Sequence, residues 1–139
     1  MKISDTTLTV RTHGKGLYPF TNDAEAWIAK QGLTSGLVTV FVQHTSCSLL
    51  IQENADPDVT LDLRDFFERL VPENEEGYRH TIEGADDMTS HIRSTLTHTS
   101  LSIPLVSGRL ALGTWQGLYL FEHRSQPHHR HIVLQLLGE

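Results

Sequence analysis

From Leu101 onward, four short runs rich in aliphatic, β-branched and aromatic residues follow one another: Leu101–Val106, Arg109–Leu112, Leu118–Glu122 and Ile132–Leu137. Only glycine, proline or polar turns separate them, so this half of the chain reads as sheet with no helix between strands. Any fold for the chain has to accommodate that. Earlier on, threonines and aliphatics recur at every second position from Lys2 to Val10, as in a strand, until Gly14-Lys15-Gly16 breaks the pattern. Asn22 and Glu25 stand at capping-box spacing ahead of Trp27 and Ile28, and Gly32 supplies a left-handed stop, which predicts a helix over 23–31. Leu37–Val42 and Ser48–Gln52 read as two strands joined or kinked at His44-Thr45-Ser46.

Asp56-Pro57 offers an N-cap and a helix-starting proline, and Val59, Leu63, Phe66, Phe67 and Leu70 form one apolar stripe before Pro72. Residues 73–87 are polar and acidic without periodicity and read as a loop. Asp86 or Asp87 then caps a third helix, on which Met88, Ile92 and Leu96 make one stripe and His91, Thr95 and His98 an adjacent one. Strands at both ends, about three helices between them and no βαβ alternation predict an α+β domain, β-rich and sandwich-like, rather than a doubly wound parallel sheet. With 139 residues and no repeat, one domain over 1–139 is expected.

Composition narrows the function classes. A formal charge of −6 with nine histidines counted neutral argues against nucleic acid as a partner, because such binders concentrate basic residues. Cys47 is the only cysteine, so neither an intrachain disulfide nor a multi-cysteine zinc cluster is available, and a reducing compartment fits. Met1–Asp5 lacks the apolar core of a signal peptide, and no apolar run approaches the roughly 18 residues of a membrane span. A cytoplasmic protein without membrane contact is expected.

Histidine is the commonest metal ligand and the best proton carrier near neutral pH, so its positions come first. His44 ends a strand at a polar break, His80 lies in the acidic loop after Tyr78-Arg79, and His91 follows Asp87 by one helical turn. Three imidazoles, or two with a carboxylate, make most of a catalytic zinc shell and leave a position open. Spacing alone does not separate ligands from surface histidines, and no HExxH is present. The cluster His128-His129-Arg130-His131 follows Gln126-Pro127 and reads as a solvated turn. Its alternative is an anion site of His128 and His129 beside Arg124 and Arg130. Cys47 reads as a small buried hydrophobe rather than a nucleophile, and Ser46, without a GxSxG elbow, as a turn residue. Gly108–Gly117 is a bulged hairpin on one reading and a small-molecule pocket on the other, with Thr114 and Gln116 as polar contacts and Trp115 as a stacking face.

The pattern Ser100-x-x-Ile103-x-Leu105-x-x-Gly108-x-x-x-x-Gly113-Thr114-Trp115-Gln116-x-Leu118 resembles the signature of YjbQ-type proteins, a family also described as secondary thiamine-phosphate synthases. The resemblance extends to Gln43-His44-Thr45-Ser46, to Glu53-Asn54-x-Asp56-Pro57, to Glu83-Gly84-Ala85-Asp86-Asp87-Met88-x-Ser90-His91-Ile92 and to Glu122-His123-Arg124. It implies a β-rich α+β fold, a homotrimer, and pockets whose histidines often hold a divalent metal, zinc or magnesium. It also implies an activity that joins hydroxymethylpyrimidine diphosphate to a thiazole phosphate with loss of pyrophosphate.

Carried onto this sequence, the resemblance makes His44, His80 and His91 the expected metal ligands and His44, His91 and Glu122 the expected catalytic groups. A small phosphorylated substrate would then be held by Thr45, Ser46, Asn54, Arg93, Arg109, Thr114, Trp115 and Gln116, with Arg93 or Arg109 on a phosphate oxygen and Trp115 stacked on the pyrimidine. Cys47, where relatives commonly have alanine, and the histidine-rich turn depart from the pattern. Two other classes use the same residues. One is a metal-dependent hydrolase with Glu122 or Asp87 as proton acceptor. The other is a non-enzymatic oligomer holding a small anion or metabolite.

Overall fold

The computed structural model describes residues 1–73 and 76–139, so the loop expected over 73–87 lies outside the described residues at 74 and 75. Along the chain the elements are β1 (Lys2–Thr12), β2 (Gly16–Pro19), α1 (Thr21–Gln31), β3 (Gly36–Val42), β4 (Cys47–Glu53), α2 (Pro57–Leu70), α3 (Asp87–Leu96), β5 (Ser100–Val106), β6 (Arg109–Leu110), β7 (Gln116–Glu122) and β8 (His128–Gly138). The strands pair antiparallel into two sheets, β1-β8-β3-β5-β6 and β2-β7-β4. Period-2 alternation builds the core between them. Val38, Val40 and Val42 of β3, Ile103 and Leu105 of β5, and Ile132, Leu134 and Leu136 of β8 turn inward. They meet Cys47 and Leu49 of β4 and Leu118 and Leu120 of β7, while Ala24 and Ile28 of α1 join the same cluster. This is the α+β, sandwich-like architecture expected from the sequence.

Several local expectations differ in detail. α1 starts at Thr21 after Phe20, with no side-chain cap, so Asn22 lies inside the helix rather than capping it. Thr21 Oγ1 instead accepts the Leu118 N–H at 2.8 Å, which fixes the helix start on β7. α2 begins as expected, with Asp56 accepting the Asp58 N–H at 2.9 Å and Pro57 in the first turn. Its apolar stripe is poorly covered, however: Phe66 is 47% and Leu70 53% exposed. Residues 128–131 are the first rungs of β8, paired with Thr12 to Thr9, and not a turn. Alternation there buries Arg130 and leaves His129 and His131 outward. The 108–117 segment is split. Ser107 and Gly108, at φ 51° and 78°, turn β5 into the short β6, and the chain then crosses to the other sheet to begin β7.

β3 and β8 approach closely where Gly36 pairs with Gly138. A Cβ on Gly36 would sit 2.1 Å from the Leu137 carbonyl oxygen, so the strands would have to part. Gly36→Ala is expected to lower unfolding free energy by about 1–3 kcal/mol. Urea denaturation reads this directly, and an unchanged midpoint would mean that the two strands separate here without cost.

Candidate metal centre

Asp87 opens α3 and His91 follows four residues later, so both side chains share one face of the helix. Asp87 is 1% exposed. His80 arrives from the preceding loop. Its Nε2 lies 2.6 Å from Asp87 Oδ2, and His91 Nε2 lies 3.1 Å from the same oxygen. One nitrogen from each imidazole and the carboxylate oxygen all fall within 4.8 Å of one another.

The surroundings orient these groups. His91 Nδ1 is 2.8 Å from the Thr45 carbonyl, which can only accept, so Nδ1 carries the proton and the neutral ring turns a lone pair at Nε2 toward Asp87. Two lone pairs 3.1 Å apart repel unless a proton or a cation lies between them. Arg124 clamps the other side of the carboxylate, bonding Asp87 Oδ1 through Nη1 and the Glu83 carbonyl through Nη2 at 2.8 Å. Burial alone would raise the pKa of Asp87. The hydrogen bond from His80, the charge that His91 carries when its ring is protonated, and the charge of Arg124 outweigh it and hold the carboxyl below its ordinary range. Asp86, the residue before the helix, leaves the backbone uncapped and accepts the Ser125 N–H at 2.7 Å and the Ser125 hydroxyl at 3.0 Å. Ser90 Oγ stands 2.6 Å from the Asp86 carbonyl and 2.8 Å from that of His123, joining α3 to the end of β7.

Two imidazoles and a carboxylate are a known catalytic zinc set. A tetrahedral shell with bonds of about 2.0–2.1 Å places ligand atoms roughly 3.3 Å apart; the His91–Asp87 pair, at 3.1 Å, already stands near that spacing, and the His80–Asp87 pair, at 2.6 Å, would open by roughly 0.7 Å to reach it. The residues therefore fit a divalent cation.

His44 stands apart from this group. Its Nε2 accepts the His131 backbone N–H at 2.8 Å, and its ring stacks on that of His131 with centroids 5.7 Å apart. Burial, then the nearby Arg130 and His131, lowers its pKa. Of the three histidines expected as ligands, the structure brings His80 and His91 together with Asp87 and holds His44 one residue before Thr45. Glu122 has another task than proton transfer. It is fully buried and accepts the Thr12 hydroxyl at 2.6 Å, Arg130 Nε at 2.8 Å, Arg130 Nη2 at 2.5 Å and the His123 N–H at 3.1 Å. A carboxylate so saturated has no free lone pair to offer a substrate. Arg93 is likewise buried, with Nη1 on Glu68 at 3.1 Å and Nη2 on the Val71 carbonyl at 2.7 Å, so it ties α3 to the end of α2 instead of holding phosphate.

The model of the YjbQ-like UPF0047 family matches residues 6–139. The chain belongs to that family. Among its YjbQ relatives, the UPF0047 protein sll1880 of Synechocystis sp. is 55% identical over 95% of this chain and 90% of its own length. YjbQ of Escherichia coli O157:H7 is 43% identical over 96% of both. The conserved hypothetical protein TT1486 of Thermus thermophilus superposes with a TM-score of 0.85 at 36% identity, covering 95% of this chain and 99% of the other. A YbjQ-like protein of unknown function from Sulfolobus solfataricus P2 reaches a TM-score of 0.90 at 23% identity over 99% of both chains, a likeness of fold.

Within this YjbQ-like fold the remaining expected contacts divide between two places. Thr45 lends its carbonyl to His91, and Ser46 Oγ accepts Arg130 Nη2 at 2.9 Å, both beside the centre. Asn54, Arg109, Thr114 and Gln116 line a cleft of about 960 Å³ at the start of β7. Gln116 and Glu122 are the two ends of β7, roughly 20 Å apart, so this cleft lies at the other end of that strand from Glu122. Trp115 beside it is 63% exposed. Cys47 is buried, and desolvation pushes its thiol up to about 12, as a packing residue requires.

Other groups of this YjbQ-like site had no role at the centre in the sequence reading. Asp86, expected as a helix cap, and Arg124, expected beside an anion site, are the orienting pair. Glu83 places Oε2 3.7 Å from His80 Nε2. His123 is fully buried, with Nε2 2.9 Å from Ser48 Oγ and Nδ1 unpartnered among the described residues. Burial and the charges of Arg93 and Arg130 lower its pKa to about 3.

Proposed function

We propose that this YjbQ-like protein holds a divalent cation, zinc by its donor set, at His80, Asp87 and His91 and acts there on a small phosphorylated molecule. The observation that supports it most is the convergence of two imidazole nitrogens on one buried carboxylate oxygen, with His91 locked by a carbonyl behind it. Three protein donors leave a coordination position free. The cation, when bound, supplies charge stabilisation at a phosphate oxygen. Arg124 keeps Asp87 anionic and aimed, Thr45 sets the tautomer of His91, and the His80 side chain, 39% exposed, keeps the centre open to solvent.

In finer terms, the reading is a thiamine-phosphate-synthase type of transfer, in which pyrophosphate leaves hydroxymethylpyrimidine diphosphate and the thiazole nitrogen takes its place. Its support is the sequence signature together with a centre suited to a diphosphate leaving group; the buried Cys47 fits a reaction that needs no protein nucleophile. Glu83 favours a second reading, hydrolysis of a phosphoester, because its exposed carboxylate beside His80 is placed to accept a proton from water. Homotrimer assembly belongs to the proposal as well. Leu61, Phe66 and Leu70 of α2, with Leu37 and Phe41 of β3, give it exposed apolar surface to cover. The reading includes the cytoplasm, with support from the lone buried thiol; among the described residues no helix is long and apolar enough to cross a membrane.

Elemental analysis of untagged protein tests the centre. One zinc per chain is expected in the parent. His80→Ala, His91→Ala and Asp87→Asn are each expected to weaken it by more than the roughly 10–100-fold that loss of an outer-shell partner costs. Unchanged zinc affinity in Asp87→Asn would sink the proposal. Zinc-loaded protein given hydroxymethylpyrimidine diphosphate, with and without thiazole phosphate, then separates transfer from hydrolysis by whether thiamine phosphate or inorganic phosphate accumulates.

A further inference from the structure

His44 sits at the β3–β4 junction, directly before the residue whose carbonyl holds His91. Its Nε2 faces the backbone N–H of His131 at 2.8 Å. A backbone N–H only donates, so Nε2 has to present its lone pair, and the one proton of the neutral ring sits on Nδ1. Stacking on His131, with 27° between the planes, further fixes the ring. Nδ1 has no protein partner among the described residues and is not among their sealed, unpartnered atoms. The guanidinium groups of Arg124 and Arg130 are already used. Arg124 is spread over Asp87, Asp86 and the Glu83 carbonyl, and Arg130 over Glu122 and Ser46.

We propose that His44 is an oxyanion-binding residue rather than a metal ligand: its Nδ1–H, fixed by the His131 N–H at Nε2, donates to a phosphate oxygen of the ligand held at the centre. This rests on the metal reading above, because the cation and the donor would share one phosphate group. The arrangement has a chemical logic. A neutral imidazole beside a divalent cation does not repel it, and a ring whose Nε2 lone pair is engaged by a backbone N–H does not compete for it. It can still donate one directed hydrogen bond to an anion, and a hydrogen bond to a charged group is stronger than one between neutral partners.

Two substitutions separate the ring's two nitrogens. The amide nitrogen of asparagine falls near the position of Nδ1, so His44→Asn keeps the donor and loses the partner of His131. The amide of glutamine reaches the position of Nε2, so His44→Gln keeps that partner and loses the donor. Inorganic phosphate titrated into zinc-loaded protein is expected to bind His44→Gln about 10–100-fold more weakly than the parent, and His44→Asn within a few-fold of it. Zinc stoichiometry should be unchanged in both, which also shows that the site is folded. Long-range 15N–1H correlation spectra of the parent at neutral pH should show His44 protonated at Nδ1 alone. Parent-like phosphate binding by zinc-loaded His44→Gln, or a proton on Nε2, would overturn the proposal and leave the metal reading standing. Failure of the parent to take up zinc would remove both.

Discussion

Replacing Arg130 with methionine is expected to cost about 3–5 kcal/mol of folding stability. The guanidinium and Glu122 are both buried, and they meet through Arg130 Nε at 2.8 Å and Nη2 at 2.5 Å. Bringing both charges out of water is expensive, and only the pairing offsets it. Removal of the cation leaves a carboxylate in the core with the Thr12 hydroxyl and backbone N–H groups as its remaining partners. The double variant Glu122→Gln/Arg130→Met, which removes both charges, should regain more than half of the loss. Urea midpoints at pH 7 for the parent, both single variants and the double variant give the answer. A loss below about 1 kcal/mol for Arg130→Met would place the pair in solvent rather than in the core.

Acid is expected to weaken the fold through His123. Its folded-state pKa is about 3, against an ordinary value of 6.5, so between those limits the unfolded chain binds a proton that the folded chain refuses. Stability is therefore intact above pH 6.5 and is lost as pH falls through the window toward 3, at up to about 1.4 kcal/mol per pH unit. Roughly 3 kcal/mol would be gone by pH 4. His44, whose pKa is also lowered, pulls the same way. His123→Gln can keep an acceptor for Ser48 while removing the titration, so its urea midpoint should fall less between pH 7 and pH 4 than the parent's. Parallel slopes would mean that the acid sensitivity originates elsewhere.

How far the sequence could be read depends on whether a feature was local. β3 and the start of α2 were legible because their signals, a β-branched run and an Asp-Pro cap, lie within a few residues. β2 was missed, since Gly16-Leu17-Tyr18-Pro19 has neither length nor alternation and becomes a strand only by pairing with β7. Residues 128–131 looked like a turn because their polarity hides the strand. Their partners across the rungs, Thr12 to Thr9, are mostly polar too, and the buried Arg130 is stabilised by a carboxylate eight positions earlier. At the centre, the four-residue spacing of Asp87 and His91 was visible, while the arrival of His80 depended on the fold. The Nε2 of His44 is engaged by a backbone N–H eighty-seven residues away, and no spacing rule can reveal that.

Glu122, His123 and Arg124 are consecutive in the chain, yet each serves a different part of the molecule. The first closes the buried ion pair, the second lies beneath α3, and the third clamps Asp87. In evolutionary terms the interior and the chemistry cannot drift independently here. An insertion or deletion in β7 would rotate all three at once, so a lineage could not repair one of these partnerships by a single compensating substitution.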